Sequence, residues 1–133
     1  MTLHTVRRAV LLSVLTMQAW VALVWFDLAR PAGFARLCAS LGRTRVSRCR
    51  SLAEPGDIVW AVDEACVWYV KRAACLQRSV VAARLLRRHG FAAEILIGCR
   101  PLPFESHAWV ELDGRVVNDL PQYQRAFTVL NRL

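Results

Sequence analysis

Helical patterns first and strand patterns later place this chain in the α+β class. Three observations carry the assignment. Residues 5–29 are predominantly apolar, and Pro31 stops the run. Leu76, Val80, Ala83 and Leu86 recur at helical spacing in a segment that Gly90 ends. Beyond Gly90 the chain reads as short strands and turns, the clearest turn being Asp113-Gly114. At 133 residues, one structural domain with a real core is expected.

The first helix is predicted over Thr5–Ala29 and a second over Ala32–Leu41, with Gly42 ending it. Arg7-Arg8 before the uncharged run Ala9–Phe26 resembles a signal peptide or a short membrane span. Against that, the run contains Ser13, Thr16 and Gln18 and continues through Asp27 and Arg30 into further helix. A buried helix, packed on a partner or on the rest of the domain, is the favoured reading, and membrane contact the lesser one. Hydrophobic residues make up 56% of the chain, which calls for a deep core, a partner surface or lipid.

Arg43–Ser51 is a basic, irregular linker, so residues 1–55 form an apolar helical region with a basic tail, and residues 56–133 the core. The net charge of +8 raises nucleic acid as a partner. No aromatic residue interleaves the arginines of the linker, so a solvated loop is favoured and no nucleic acid is expected. Asp57 is a plausible N-cap for a helix over Ile58–Arg72. The helix Cys75–His89 ends in Arg87 and Arg88, which suit its C-terminal dipole. Nothing in Lys71–Ala74 caps it, so the sequence does not mark a break just before Cys75. Ala92–Gly98 reads as a strand, Arg100–Pro103 as a loop, and His107–Glu111 with Arg115–Asp119 as a hairpin. The tail with Tyr123 and Phe127 is expected to pack back on the sheet as irregular structure or a short strand.

The chain has five cysteines, with no Cys-x-x-Cys pair and no zinc-ligand spacing, so neither metal nor other cofactor is expected. Free thiols suit a reducing cytosol. Most cysteines of this kind are small buried hydrophobes. Cys75 stands out because it opens a helix and is followed by His107 and Asp119, the order that thiol hydrolysis or acyl transfer needs. Thiolates are favoured at helix N-termini and beside an imidazolium, where thiol pKa values fall to roughly 3.5–7.5. His107 would hold the thiolate, protonate the leaving amine and then assist water; Asp119 would fix the imidazole tautomer. The Cys75 amide is the natural oxyanion donor, with Gln77 a candidate for the second.

The hairpin register bears on this constellation. A two-residue turn pairs Leu112 with Arg115 and sets Ala108 opposite Asp119, which sends His107 and Asp119 to opposite faces. A three-residue loop, Leu112-Asp113-Gly114, pairs Glu111 with Arg115 and His107 with Asp119, with Cβ atoms about 5 Å apart. The bulged, three-residue turn is therefore predicted.

Four segments together resemble a known family. They are Cys75-Leu76-x-Arg78-Ser79; Gly90-Phe91-x-Ala93-Glu94 leading to Ile97-Gly98; Pro103-Phe104-x-x-His107-Ala108-Trp109-Val110-Glu111; and Gly114-Arg115-Val116-Val117-Asn118-Asp119. Over about Asp57–Asp119 the chain resembles the transglutaminase-like leader peptidases (B proteins) of lasso peptide biosynthesis. The resemblance implies a papain/transglutaminase-like fold, a nucleophile helix on a small antiparallel sheet, and Cys75, His107 and Asp119 as catalytic triad. It also implies a substrate, the leader region of a ribosomally made precursor, whose removal exposes an α-amine for an ATP-dependent cyclase. Some members carry a fused recognition domain; the first 55 residues here read otherwise. A split system is thus expected, in which a separate leader-recognition protein delivers the precursor to a cytoplasmic bacterial enzyme. The apolar N-terminal helices and arginine-rich surface are candidate docking surfaces for that protein, the leader or the cyclase. The alternatives are another papain-like amide hydrolase, transglutaminase chemistry, or a non-catalytic membrane-associated partner protein.

Overall fold

A computed structural model describes residues 2–133. In chain order the elements are α1 (Leu3–Ala29), a 3-10 turn (Arg30–Ala32), α2 (Phe34–Arg43), α3 (Pro55–Val67) and α4 (Cys75–Arg88). They continue with β1 (Glu94–Pro101), β2 (Phe104–Leu112), β3 (Arg115–Val116), α5 (Tyr123–Ala126) and β4 (Thr128–Arg132). The four strands form one antiparallel sheet in the order β3-β2-β1-β4. The α+β class follows directly from this arrangement.

Helix α1 packs one face inward. Leu15, Ala19, Leu23 and Phe26 are buried against Ile58, Ala61, Val62 and Ala65 of α3 and against α4. The fully buried alanines 19, 61 and 65 leave no bulk between the helix backbones, so α1 and α3 approach closely. Each fully buried leucine or isoleucine here contributes roughly 1.5–3 kcal/mol. Gln77 of α4 also ties into α1, donating to the Leu23 carbonyl at 3.1 Å.

Several expected boundaries move. Pro31 does stop α1, but the chain first makes a 3-10 turn, so α2 begins at Phe34 rather than Ala32. Gly42 does not end α2, which runs to Arg43 before Thr44 turns extended. Helix α3 starts at Pro55, and Asp57 is not its N-cap but its third residue. From there its carboxylate accepts the Glu54 N–H at 3.2 Å, the reciprocal arm of a capping box. The largest change is at the other end of α3, which stops at Val67, not Arg72. There the Tyr69 hydroxyl hydrogen-bonds Asp27 of α1, and the Lys71 ammonium pairs with the same carboxylate at 2.6 Å. Two side chains anchored on another helix pull the backbone off the helical path, and Trp68–Ala74 becomes the connection that lets α4 start afresh at Cys75. This is the break the local sequence does not encode.

Arg100 and Pro101 are strand residues rather than loop, and the β1–β2 connection is only Leu102-Pro103. The tail supplies an edge strand: β4 pairs with β1, and Leu133 exchanges both backbone hydrogen bonds with Ile95 at 2.9 Å. On the sheet face away from α4, Leu96, Trp109 and Phe127 form a second small core. Gly98 lies beneath it, opposite His107 across β1 and β2. A Cβ on Gly98 would stand 2.9 Å from both the Phe127 Cβ and the Trp109 ring, so only glycine admits this aromatic layer.

Candidate active site

The β2–β3 hairpin turns through two residues, not three. Leu112 pairs with Arg115 and Glu111 with Val116, while Asp113 and Gly114 both take positive φ (52° and 75°). That is the primed turn favoured by Asp-Gly. The bulged turn and the Glu111–Arg115 pair expected from the sequence do not form. Buried Glu111 instead accepts Trp109 Nε1–H at 3.0 Å and the Gln124 side-chain amide at 2.9 Å.

In a regular ladder, the two-residue register would separate His107 and Asp119. They nevertheless meet: His107 Nε2 lies 2.9 Å from Asp119 Oδ2. Asn118 is the reason. After the Val117 N–H donates to the Val110 carbonyl at 3.0 Å, regular pairing stops. The Val110 N–H then donates to the side-chain Oδ1 of Asn118 at 2.7 Å instead of to a backbone carbonyl. The Asn118 amide donates onward to Ser79 Oγ at 3.1 Å, and Ser79 Oγ donates to the Ala108 carbonyl at 3.0 Å. Asn118 and Ser79 are both buried, so this polar chain is satisfied without water. Because a side chain replaces the backbone in the ladder, strict alternation ends at Asn118 and the next residue is free to turn toward His107.

Asp119 is held from several sides. Its Oδ1 accepts the Leu120 N–H at 2.9 Å, and its Oδ2 serves both His107 and Arg78, whose Nη2 is 3.5 Å away. Arg78, one turn into α4 from Cys75, also donates to the Asn118 carbonyl and pairs with Asp63 of α3 at 3.6 Å. One guanidinium thus links α3, α4 and the segment after β3. Burial pushes the Asp63 carboxyl above its ordinary range, Arg78 pulls it down, and Asp119 adds to the rise.

The His107 ring packs on three aromatics. Its centroid is 4.4 Å from Tyr123, 5.7 Å from Phe127 and 6.3 Å from Trp109. With Nε2 given to Asp119, Nδ1 is the ring nitrogen left to work on a substrate or a thiol.

Cys75 is half-buried and is the first residue of α4, with Ala74 at the N-cap position supplying no side-chain bond. The amides of Cys75, Leu76 and Gln77 precede the first intrahelical bond, which Arg78 N–H makes to the Ala74 carbonyl at 3.0 Å. Cys75 therefore sits at the positive end of the helix dipole. Hydrogen bonds bring His107 and Asp119 together; among the described residues none joins the Cys75 thiol to either. Cys38 and Cys66 have thiols pushed up by burial, and Asp63 raises Cys66 further. Gln77 does not fit a second oxyanion donor: it is buried and aimed at α1. No group of three or more metal-binding side chains occurs among the described residues.

Nothing in the sequence by itself gives Arg78, Ser79, Asn118 or Tyr123 a role in the site. Arg78 and Ser79 were visible one turn beyond Cys75; the roles of Asn118 and Tyr123 depend on where a broken strand and a four-residue helix come to rest.

Comparisons with known proteins bear on the family. The family model described as transglutaminase-like superfamily matches residues 19–132. The microcin J25-processing protein McjB of Escherichia coli is 39% identical over 56 residues, which is 42% of this chain and 27% of that protein. The chain thus aligns with about a quarter of the length of that curated relative. No solved structure gives a significant match. The chain belongs to the transglutaminase-like superfamily.

Proposed function

We propose that this protein is a cysteine peptidase that removes the leader peptide from a ribosomally synthesised lasso peptide precursor. The observation that carries the reading is the His107–Asp119 pair, tied through Arg78 to the helix that Cys75 opens. The partial likeness to a protein named for processing microcin J25 supports the substrate class.

In the proposed reaction the Cys75 sulfur attacks the carbonyl carbon of the scissile amide, and the amides at the start of α4 receive the developing oxyanion. The C–N bond breaks as His107, holding the thiol proton on Nδ1, passes it to the leaving nitrogen. The core peptide departs with a free α-amine, and the leader remains as a thioester. Water then attacks the thioester carbon, His107 takes a proton from that water, and the C–S bond breaks. The leader leaves as a carboxylic acid, and the thiol is restored. Asp119 keeps the Nε2–H tautomer throughout.

A separate recognition protein would deliver the precursor and a cyclase would act on the product; the partial likeness to a microcin J25-processing protein supports this part of the reading. A reducing bacterial cytosol suits a free thiol nucleophile. The test is cleavage of a candidate precursor in the presence of its recognition protein. Cys75→Ala and Cys75→Ser are expected to abolish cleavage, while Cys49→Ser leaves it intact. Full cleavage by Cys75→Ala would remove Cys75 from the mechanism.

A further inference from the structure

The one carboxylate on α1 lies against the chain that leads to the candidate nucleophile. Asp27 is the single acidic residue of α1, and its side chain is 23% exposed. It accepts the Tyr69 hydroxyl and pairs with the Lys71 ammonium at 2.6 Å. Burial pushes the Asp27 carboxyl up, but the Lys71, Tyr69 and Gln77 side chains outweigh burial and hold it below its ordinary value. One helical turn earlier, the Leu23 carbonyl accepts the Gln77 side-chain amide at 3.1 Å. Trp20, on the same stripe of α1, meets the Tyr69 ring edge-on with centroids 6.2 Å apart. Tyr69 and Lys71 come before Cys75 and Gln77 comes after it, so one stripe of α1 holds the backbone on both sides of the thiol.

The start of α4 has no cap of its own. Ala74 offers no side-chain bond, and the first turn contains no acidic residue. A serine, threonine, aspartate or asparagine in that position would accept the Leu76 or Gln77 N–H. Those amides belong to the free set that receives the oxyanion in the proposed reaction. An uncapped start keeps the donors open, but it leaves the first turn without the bond that resists fraying. Anchoring from α1 fixes the turn without occupying an amide.

We propose that Asp27 is a positioning residue for Cys75: through Tyr69 and Lys71 it fixes, from α1, where the sulfur stands relative to His107. The role rests on the reading of Cys75 as the nucleophile. A displacement of about 1 Å at a reacting group costs about a hundredfold in rate, so a distant anchor can govern turnover without touching substrate.

The experiment measures kcat and KM for precursor cleavage at a temperature where circular dichroism shows each variant fully folded. Asp27→Leu is expected to lower kcat about tenfold or more and to change KM less than about twofold. Asp27→Asn, which can still accept the Tyr69 hydroxyl, should recover part of that loss. Tyr69→Phe and Lys71→Met should each lose less than Asp27→Leu and add little to it, since both act through its carboxylate. Ile95→Val, a core change in β1, should lower the denaturation midpoint and leave kcat unchanged. A second measurement needs no precursor. Alkylation of Cys75 by iodoacetamide at about pH 7, followed by mass spectrometry on the tryptic peptide Ala73–Arg78, should be about fivefold slower or more in Asp27→Leu. The exposed Cys49 serves as internal reference. Wild-type kcat in Asp27→Leu would overturn the proposal, as would alkylation of Cys75 at the wild-type rate or faster. A wild type that leaves the precursor intact would instead sink the peptidase reading, and the alkylation comparison would then decide the placement of the thiol alone.

Discussion

Arg78 and Arg87 sit on the same helix and do opposite kinds of work. Arg87, near the C-terminus of α4, is buried and bonded to main-chain oxygens. Its Nε donates to the Ala93 carbonyl at 2.8 Å, and its two terminal nitrogens donate to the Leu41 and Leu133 carbonyls at 2.9 Å. It closes the end of α2, the entry to β1 and the end of the chain around one rigid fork. Burial pulls its pKa down, partly opposed by Glu94. Arg78, near the N-terminus, is half-buried and faces two carboxylates, Asp63 and Asp119. Arg87 is committed to main-chain oxygens, with the Glu94 charge nearby, whereas Arg78 is shared between two side-chain carboxylates that it can aim and tune.

The contrast is sharpest in a stability measurement. Arg87→Met removes three hydrogen bonds at once and leaves the Ala93 carbonyl without a donor, while Leu41 and Leu133 keep the N–H groups of Thr44 and Ile95. It is expected to destabilise the fold by about 2–3 kcal/mol, read as a lower denaturation midpoint. Arg87→Lys should recover only part, since one ammonium cannot reproduce the fork. A loss below about 1 kcal/mol would break the comparison.

Arg78→Met is expected to reverse the pattern. Stability should fall by about 1 kcal/mol or less, because the guanidinium is partly solvated. Precursor cleavage should fall about tenfold, as Asp119 loses one of the groups that hold it toward His107. Arg78→Lys should restore part of the activity. Combining Arg78→Met with Asp119→Asn should cost little more than Asp119→Asn alone, because both changes act through the same carboxylate.

Asp63 supplies the smallest effect, and its sign is definite. Its folded pKa is raised above the unfolded value, chiefly by burial. The folded state therefore holds the proton more tightly, and stability falls as pH rises through the range between the two values. Asp63→Asn should add a few tenths of a kcal/mol near pH 7, since the side chain is only half-buried and solvent screens it, and nothing below about pH 3. Chemical denaturation at the two pH values checks it; a gain that is larger at acid pH would contradict the assigned cause.

How much of this was legible in the residues divides along physical lines. Periodicity revealed α1 and α4, because burying one face of a helix imposes its spacing directly on the sequence. The junction between α3 and α4 was invisible: Asp27 ends α3 from more than forty positions upstream through Tyr69 and Lys71. The hairpin shows the same division more finely. Asp113-Gly114 was recognisable as a turn, but its two-residue geometry should have parted His107 from Asp119. Only the tertiary structure provides the remedy, the Asn118 side chain entering the ladder and resting on Ser79 of α4. Residue order along the chain named Cys75, His107 and Asp119 because chemistry restricts residue type. The meeting of His107 and Asp119 was decided by α4, since a side chain can take a strand's place in a ladder only where a neighbouring element satisfies the rest of it.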